Sequence, residues 1–275
     1  MVATLYIVST PIGNLEDITL RALRILREVD FIAAEDTRHS LKLLNHYGIS
    51  KPMISYWGER ERVRSEEIIR RLQAGHTVAI ISDAGTPGIS DPGAVIVRRA
   101  IEENIKVVPV PGPSALIAAL SLSGLPADVF TFIGFLPSKR TMRQKVLKDL
   151  SLEKSTLVFY EAPHRIMETL ADMEQIFAGR KAALVKEITK IHEEILRGRI
   201  SEIIGALGKM KIAGEYVIIL EGRPETNKVT MADALEEIDS LMKKGLKRKE
   251  AVRKIAEDYD LSSKELYGRS LDKSP

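Results

Sequence analysis

The β-rich run Thr77-Val78-Ala79-Ile80-Ile81 leads directly into Ser82-Asp83-Ala84-Gly85-Thr86-Pro87-Gly88-Ile89-Ser90-Asp91-Pro92-Gly93, after which Ala94–Ile101 reads as a helix. A buried strand entering a helix needs only a turn. Twelve residues with three glycines, two prolines and two aspartates are far more than that. Open α/β sheets bind ligands beyond the carboxyl ends of their strands. The pattern predicts a ligand loop at that edge.

The same alternation runs through the first 112 residues. Leu5–Ser9 is a short strand closed by Pro11, Gly13 and Asn14. A helix capped by Asp17 or Thr19 then carries Leu20, Leu23, Leu26 or Ile25, and Val29 on one face. Phe31–Ala34 is a strand running into Glu35-Asp36-Thr37-Arg38-His39, a charged helix covers Glu59–Gln73, and Val107–Val110 is a further strand. Strands alternating with helices imply a largely parallel sheet covered by helices.

Pro111-Gly112-Pro113 breaks the chain, and Ser114 is placed to cap a helix over Ala115–Leu122. The extended, apolar stretch Ser123–Pro137 marks a domain junction. A second α/β unit follows, with strands Thr156–Tyr160, Ala182–Ile188 and Tyr216–Leu220 and helices Arg165–Phe177 and Ile200–Leu207. Glu221–Lys228 reads as a linker. Met231–Met242 and Lys249–Tyr259 are amphipathic helices, and Asp260-Leu261-Ser262 separates the latter from a short helix, Ser263–Tyr267. That is the outline of a helix-turn-helix. The expected organisation is an N-terminal α/β domain (1–113), a second α/β domain (114–223) and a C-terminal helical RNA-binding segment (228–275).

Composition narrows the chemistry. The chain has no cysteine, which removes disulfides, thiolate nucleophiles and cysteine metal sites. Net charge is only +3, so affinity for nucleic acid must come from local patches. Two are present: Lys139, Arg140, Arg143, Lys145 and Lys148, and then Lys243, Lys244, Lys247, Arg248, Lys249, Arg253 and Lys254. Together they favour phosphate-backbone contact over a merely solvated helix face. No apolar run approaches the about 18 residues of a membrane span, and no signal peptide is legible. A soluble cytoplasmic protein without membrane contact is expected.

The first turn, Thr10-Pro11-Ile12-Gly13-Asn14, lacks G-x-G-x-x-G, and no Gly-Lys-Ser/Thr follows. Gly/Pro loops without a phosphate lysine suit a ligand bound through hydroxyls, an amino-acid head group and a base. Three polar clusters stand after strands: Glu35–His39, Glu161-Ala162-Pro163-His164-Arg165 and Lys186–Glu194. The plain alternative is a solvated charged turn for the first and third and a helix cap for the second, but their place at strand ends favours an active site. His39, His164 and His192 lack metal-site spacing, so no protein-held metal is expected. There is no G-x-S-x-G elbow.

Seven segments in order carry a resemblance: Thr10–Thr19, Ala34–Arg38, Ser82–Gly93, Pro111–Ala115, Ser123–Pro126, Tyr160–Arg165 and Lys186–Lys190. Together they resemble the ribosomal RNA small-subunit methyltransferases that 2′-O-methylate a cytidine of the decoding region, within the tetrapyrrole-methylase superfamily. The resemblance implies two α/β domains with S-adenosyl-L-methionine in the cleft between them, a homodimer, and small-subunit ribosomal RNA, in the assembled subunit, as partner. It places the cofactor at Pro11, Ser82, Asp83, Ala84, Thr86, Ser114, Ala115, Tyr160, Glu161 and Ile188. For the transfer, Glu35, Asp36, Glu161 and Glu187 are base candidates, and Arg38, Arg165 and Lys186 are positioning candidates. A corrin or porphyrin methylase and a non-enzymatic RNA-binding assembly factor are the competing readings.

Overall fold

The computed structural model describes residues 3–56, 61–224, 231–243, 245–259 and 261–272. Strands β1 (Thr4–Val8), β2 (Phe31–Ala34), β3 (Met53–Ser55), β4 (Thr77–Ile81) and β5 (Lys106–Val110) form a parallel sheet in the order β3-β2-β4-β1-β5. Helices α1 (Leu20–Glu28) and α2 (Thr37–His46) pack Leu26 and Leu44 against Val8, Ile32 and Ile81 on one face. Helices α3 (Glu61–Gln73) and α4 (Ala94–Glu102) pack Ile68, Leu72 and Ile96 against Leu5, Val78 and Ile80 on the other. The chain therefore leaves neighbouring strands β1 and β4 in opposite directions. Their crevice is the switch point at which such sheets bind ligands.

Helix α5 (Ala115–Ser123) follows, capped by Ser114. The second sheet has strands β6 (Phe130–Phe135), β7 (Thr156–Glu161), β8 (Lys181–Lys186), β9 (Glu194–Arg199) and β10 (Tyr216–Leu220), in the order β6-β7-β10-β8-β9. Only β6 and β7 pair in parallel; β10, inserted between β7 and β8, runs antiparallel to both. Alternation along these strands divides two cores. Val158, Ala183, Val185, Val217 and Ile219 pack with Ala119 and Leu120 of α5 and with Ile12 from the first sheet's loops. Leu157, Phe159, Leu184 and Ile218 pack with Leu147, Leu170 and Ile203 of helices α6 (Arg140–Asp149), α7 (Ile166–Ile176) and α8 (Ile200–Leu207).

The chain divides into two compact units, Met1–Gly222 and Arg223–Pro275. The smaller unit packs α9 (Met231–Lys243), α10 (Arg248–Tyr259) and α11 (Ser263–Asp272) around Leu235, Ile238, Val252, Ile255 and Leu266. Helix α11 runs further than the expected Ser263–Tyr267. Of the expected features, Glu59, Lys244, Asp260 and the linker residues Glu225–Lys228 lie outside the described residues.

Two expectations need correction. The linker begins later than expected, because Glu221 N–H still donates to the Lys181 carbonyl at 2.9 Å. Gly222 is packed so closely that an added Cβ would lie 1.9 Å from the Lys154 carbonyl oxygen. Arg143 is no part of a basic surface. It is 0% exposed and donates to the equally buried Asp172 at 2.8 Å, where Arg140 and Gln144 also donate. The other four cations of that patch are exposed, and one of them, Arg140, is bonded to Asp172. Breaking a buried pair leaves a desolvated charge, so Asp172→Ala should cost about 3–5 kcal/mol in chemical denaturation. The double variant with Arg143→Met should recover most of it.

Candidate active site

The ends of β1 and β4 are joined beyond the ladder. Thr10 N–H donates to the Gly85 carbonyl at 2.9 Å, Gly85 N–H returns a bond to the Thr10 carbonyl at 3.1 Å, and the Ser9 and Thr86 hydroxyls meet at 2.8 Å. This bridge is antiparallel, so a chain leaving parallel strands must double back, and Gly85 does so with φ +80°. Further along, Gly93 has φ +146°, and a Cβ there would lie 2.8 Å from Gly88 N. Gly93 N–H donates to Glu61 at 2.9 Å, and the buried Tyr56 hydroxyl donates to the same carboxylate oxygen. Ser90 between these anchors holds φ +63°, a conformation that non-glycine residues rarely adopt.

These loops face the ends of β7 and β8 and the start of β10 across a cavity of about 520 Å³. Its first wall is Ile12, Ala84, Gly85, Thr86, Ile89, Ser90 and Asp91, with Ser114, Ala115 and Leu116 from the start of α5. Its second is Phe135, Tyr160, Glu161, Ala162, Pro163, Ile188, Glu215, Tyr216 and Val217. No lysine, arginine or histidine is among these lining residues, whereas Asp91, Glu161 and Glu215 are. Such a wall suits a ligand with cationic groups and no phosphate.

Of the residues expected to hold a cofactor, Ala84, Thr86, Ser114, Ala115, Tyr160, Glu161 and Ile188 line this cavity. Pro11, Ser82 and Asp83 do not, though they adjoin residues that do. Ser82 is buried, its hydroxyl bonded to the Ala84 and Gly85 carbonyls. Asp83 accepts from Asp36 N–H at 3.1 Å while its own N–H donates to Glu35 at 3.3 Å, which ties the end of β2 to that of β4. Ile12, Ser90, Asp91, Phe135 and Glu215 belong to the cavity without having been expected there. Asp91 was visible as the second acid of the long loop. Nothing in the sequence set it apart from Asp83; both are half-buried, but Asp83 is bonded to the end of β2 while Asp91 lines the cavity.

Of the seven candidates for the transfer step, Glu161 lines the main cavity, whereas Glu35, Asp36, Arg38, Arg165, Lys186 and Glu187 do not. Asp36 caps α2, and the Arg38 N–H bond holds its carboxyl below the usual range. Arg38 projects into solvent, its side chain 91% exposed. Arg165 donates twice to Glu161, at 2.6 and 2.9 Å, and once to the Leu136 carbonyl, and Glu161 also accepts from Thr169 at 2.6 Å and from Ala162 N–H. Lys186 pairs with Glu194 at 2.8 Å, a contact that raises its pKa. Burial opposes charge on Glu187, but bonds from Lys190 and from Glu215 N–H outweigh it and lower its pKa. Lys186 and Glu187 line a second, more polar hollow with His192 and Lys211.

Burial raises the pKa of Glu35, against the bond from Asp83 N–H. It also pushes the Asp91 carboxyl up to about 6, reinforced by Glu35 and then Asp83. The Tyr160 hydroxyl, raised by burial, accepts from Leu116 N–H at 3.2 Å.

The tetrapyrrole (corrin/porphyrin) methylase family model matches residues 4–204. Over 275 aligned residues, the chain is 46% identical to the ribosomal RNA small subunit methyltransferase I of Synechocystis sp., covering 98% of this chain and 97% of that protein. The chain belongs to the tetrapyrrole methylase family, in its ribosomal RNA small subunit methyltransferase I branch. The Thermotoga maritima protein of the same name is 48% identical over 219 residues, 80% of this chain but 98% of that protein. A likeness in fold alone reaches the uroporphyrin-III C-methyltransferase of Thermus thermophilus complexed with S-adenosyl homocysteine, with TM-score 0.56 and 21% identity over 79% of this chain and 97% of that one.

A side chain at position 93 must displace the backbone of residue 88. Gly93→Ala should lower stability by about 1–3 kcal/mol in thermal unfolding. It should also loosen the loop, read as faster proteolytic cleavage within residues 82–93.

Proposed function

We propose that this chain transfers a methyl group from S-adenosylmethionine to the ribose 2′-hydroxyl of a cytidine in the decoding region of small-subunit ribosomal RNA. The observation that carries the reading is the cavity wall: three carboxylates, several hydroxyls, aromatic rings and no cation. S-adenosylmethionine has a sulfonium, an ammonium and no phosphate, and the cavity lies in the range of about 300–1,000 Å³ common for such ligands. The residues present fit it. Ala84, Thr86, Ser114, Ala115, Tyr160 and Ile188 would hold it, supported by Pro11, Ser82, Asp83 and Glu161. The start of α5, with Ser114 and Ala115 on the wall, suits a carboxylate group.

When bound, S-adenosylmethionine supplies an electrophilic methyl on a cationic sulfonium. The apolar walls Ile12, Leu116, Ile188 and Val217 exclude water and fix orientation, from which most of the rate gain should come. Arg165, gripped by Glu161 and Leu136, acts as a rigid support beside the cavity. Arg38 is free to meet an RNA phosphate as a charged donor.

The names of the relatives support ribosomal RNA as substrate. We read the cytoplasm as its place of work and the assembled subunit as the form of RNA it meets. A homodimer is supported by β6, an edge strand whose Phe130 and Phe135 are exposed beside Val129. No helix among the described residues is long and apolar enough to cross a membrane. The unit Arg223–Pro275 is proposed as the RNA-binding segment. Lys247, Lys249, Arg253 and Lys254 are exposed at the start and along one side of α10, whereas α11 carries balanced charge. The phosphate contact therefore belongs to α10, not to the second helix of the helix-turn-helix.

Labelled methyl from S-adenosylmethionine should enter small-subunit RNA, with mass mapping locating it on a cytidine ribose. Label in an extractable pigment would favour a corrin or porphyrin methylase, and no donor binding would favour an assembly factor. Arg38→Ala should raise KM for the RNA substrate more than it lowers kcat. Replacing Lys247, Lys249 and Lys254 by alanine should weaken RNA binding and flatten log K against log salt by about 0.7–0.9 for each phosphate no longer neutralised.

A further inference from the structure

We propose that the turn between β8 and β9 is a clasp for the methyl donor, with Thr189 and Lys190 as its positioning residues. The inference rests on the donor-binding part of the reading above and deepens it. Neither residue lines the cavity, and both act on it through the walls they hold. Lys186 of β8 pairs with Glu194 of β9, so residues 187–193 form the connection. Hairpin loops are commonly about 2–5 residues long. Two residues of this longer one, Glu187 and Thr189, hold left-handed backbone at φ +52° and +65°. A β-branched residue is an outlier there. Strain of this kind persists where the surroundings enforce it, commonly at functional sites and ligand clamps.

Glu187 is fixed from four directions. Its N–H donates to the Glu215 carbonyl at 2.9 Å, and its carbonyl accepts from Lys190 N–H at 2.9 Å. Its carboxylate accepts from Glu215 N–H at 3.0 Å and from the Lys190 ammonium at 2.8 Å. A Cβ on Gly214 would overlap that carboxylate, so the chain entering β10 passes there only as glycine. The Lys190 ammonium also reaches Glu215, on the cavity wall, at 3.0 Å. Thr189 N–H donates to Glu193 at 2.7 Å, which closes the turn. Glu187 and Thr189 thus bracket Ile188, which is buried and lines the cavity.

The same turn grips the loop of the first sheet. The Thr189 hydroxyl accepts from Asn14 N–H at 3.2 Å. A Cβ on Gly13 would overlap Lys190 Cγ and lie 3.0 Å from the Thr189 hydroxyl oxygen, so the lysine stem lies across the glycine. Beside them, Ile12 and Ile188 share one core and stand on opposite walls of the cavity. The Thr10–Gly85 bridge ties the base of this loop to the loop after β4, and the clasp ties its far end to the second sheet. A ligand between the sheets touches both walls, so its affinity depends on their separation. A turn that sets the separation in advance removes an ordering cost from binding.

Calorimetry on the full chain with S-adenosylhomocysteine as probe tests the clasp. Thr189→Val keeps the shape and removes the acceptor, and should weaken affinity about three- to tenfold, the worth of one hydrogen bond. Thr189→Ser retains the hydroxyl and should restore the affinity. Gly13→Ala should weaken binding about tenfold, equivalent to about 1.4 kcal/mol. Made in a Lys190→Ala background, the same change should cost far less, a coupling that the double-mutant cycle isolates. Single-turnover methylation by Thr189→Val at saturating donor should stay within about threefold of the parent, because the contact is made before the transition state as well as in it. Parental affinity in Thr189→Val overturns the proposal, as do equal losses in the valine and serine variants. A Gly13→Ala loss that Lys190→Ala leaves undiminished also overturns it, and so does a rate that saturating donor fails to restore. A lowered melting temperature with affinity unmoved would make the turn a connection only. Parent protein that does not bind the probe overturns the functional reading and the clasp with it; parent and variants that bind alike overturn only the clasp.

Discussion

A parallel sheet secures its strands through their ladder but leaves their ends loose, and this molecule depends on how the ends of β1 and β4 are joined. The reciprocal bonds between Thr10 and Gly85, with the Ser9–Thr86 hydroxyl contact, fold the two loops back on one another at the switch point of the sheet. Ile12 is thereby delivered into the core that α5 shares with the second sheet. Ala84 to Asp91 become one wall of the cavity, and the strand ends of the second sheet supply the other. Burial does the rest. Ile12 and Val217 lose water on one side while serving as cavity lining on the other.

Charge is arranged to match. The cations near the site are each answered by a carboxylate, two of which, Glu161 and Glu215, stand on the cavity wall: Arg38 by Asp36, Arg165 by Glu161, Lys186 by Glu194, Lys190 by Glu187 and Glu215. The cavity itself has only acids. A cationic donor is welcomed there and a phosphate is not, so an RNA backbone must stay on the rim. Exposed pairs such as Arg38–Asp36 contribute little to stability, which leaves Arg38 available to a ligand at small cost. Arg165 is the opposite case, with its donors held by Glu161 and Leu136.

The elements were largely legible where burial was uniform. Thr77–Ile81 and Tyr216–Leu220 are buried throughout and were read with their observed bounds. Elements with mixed polarity escaped. Strand β9 carries Glu194, Arg197 and Arg199 on an edge, and α2 starts inside what looked like a charged loop because Asp36 is its cap. Arg143 defeated any count of surface charge, since only tertiary packing reveals Asp172 beside it. For the site, loops were legible and individual roles were not. Glu161 and Glu187 read as free bases in a linear chain, yet Arg165, Thr169, Lys190 and Glu215 N–H occupy them once folded. Asp91 stood in the open, and only its neighbours set it apart.

The most direct test of the account is a crystal structure of the chain with S-adenosylhomocysteine. The account predicts the ligand between the two sheets, touching Ala84 and Thr86 on one side and Tyr160 and Ile188 on the other. Density elsewhere on the molecule, or an empty cavity at saturating ligand, would contradict it.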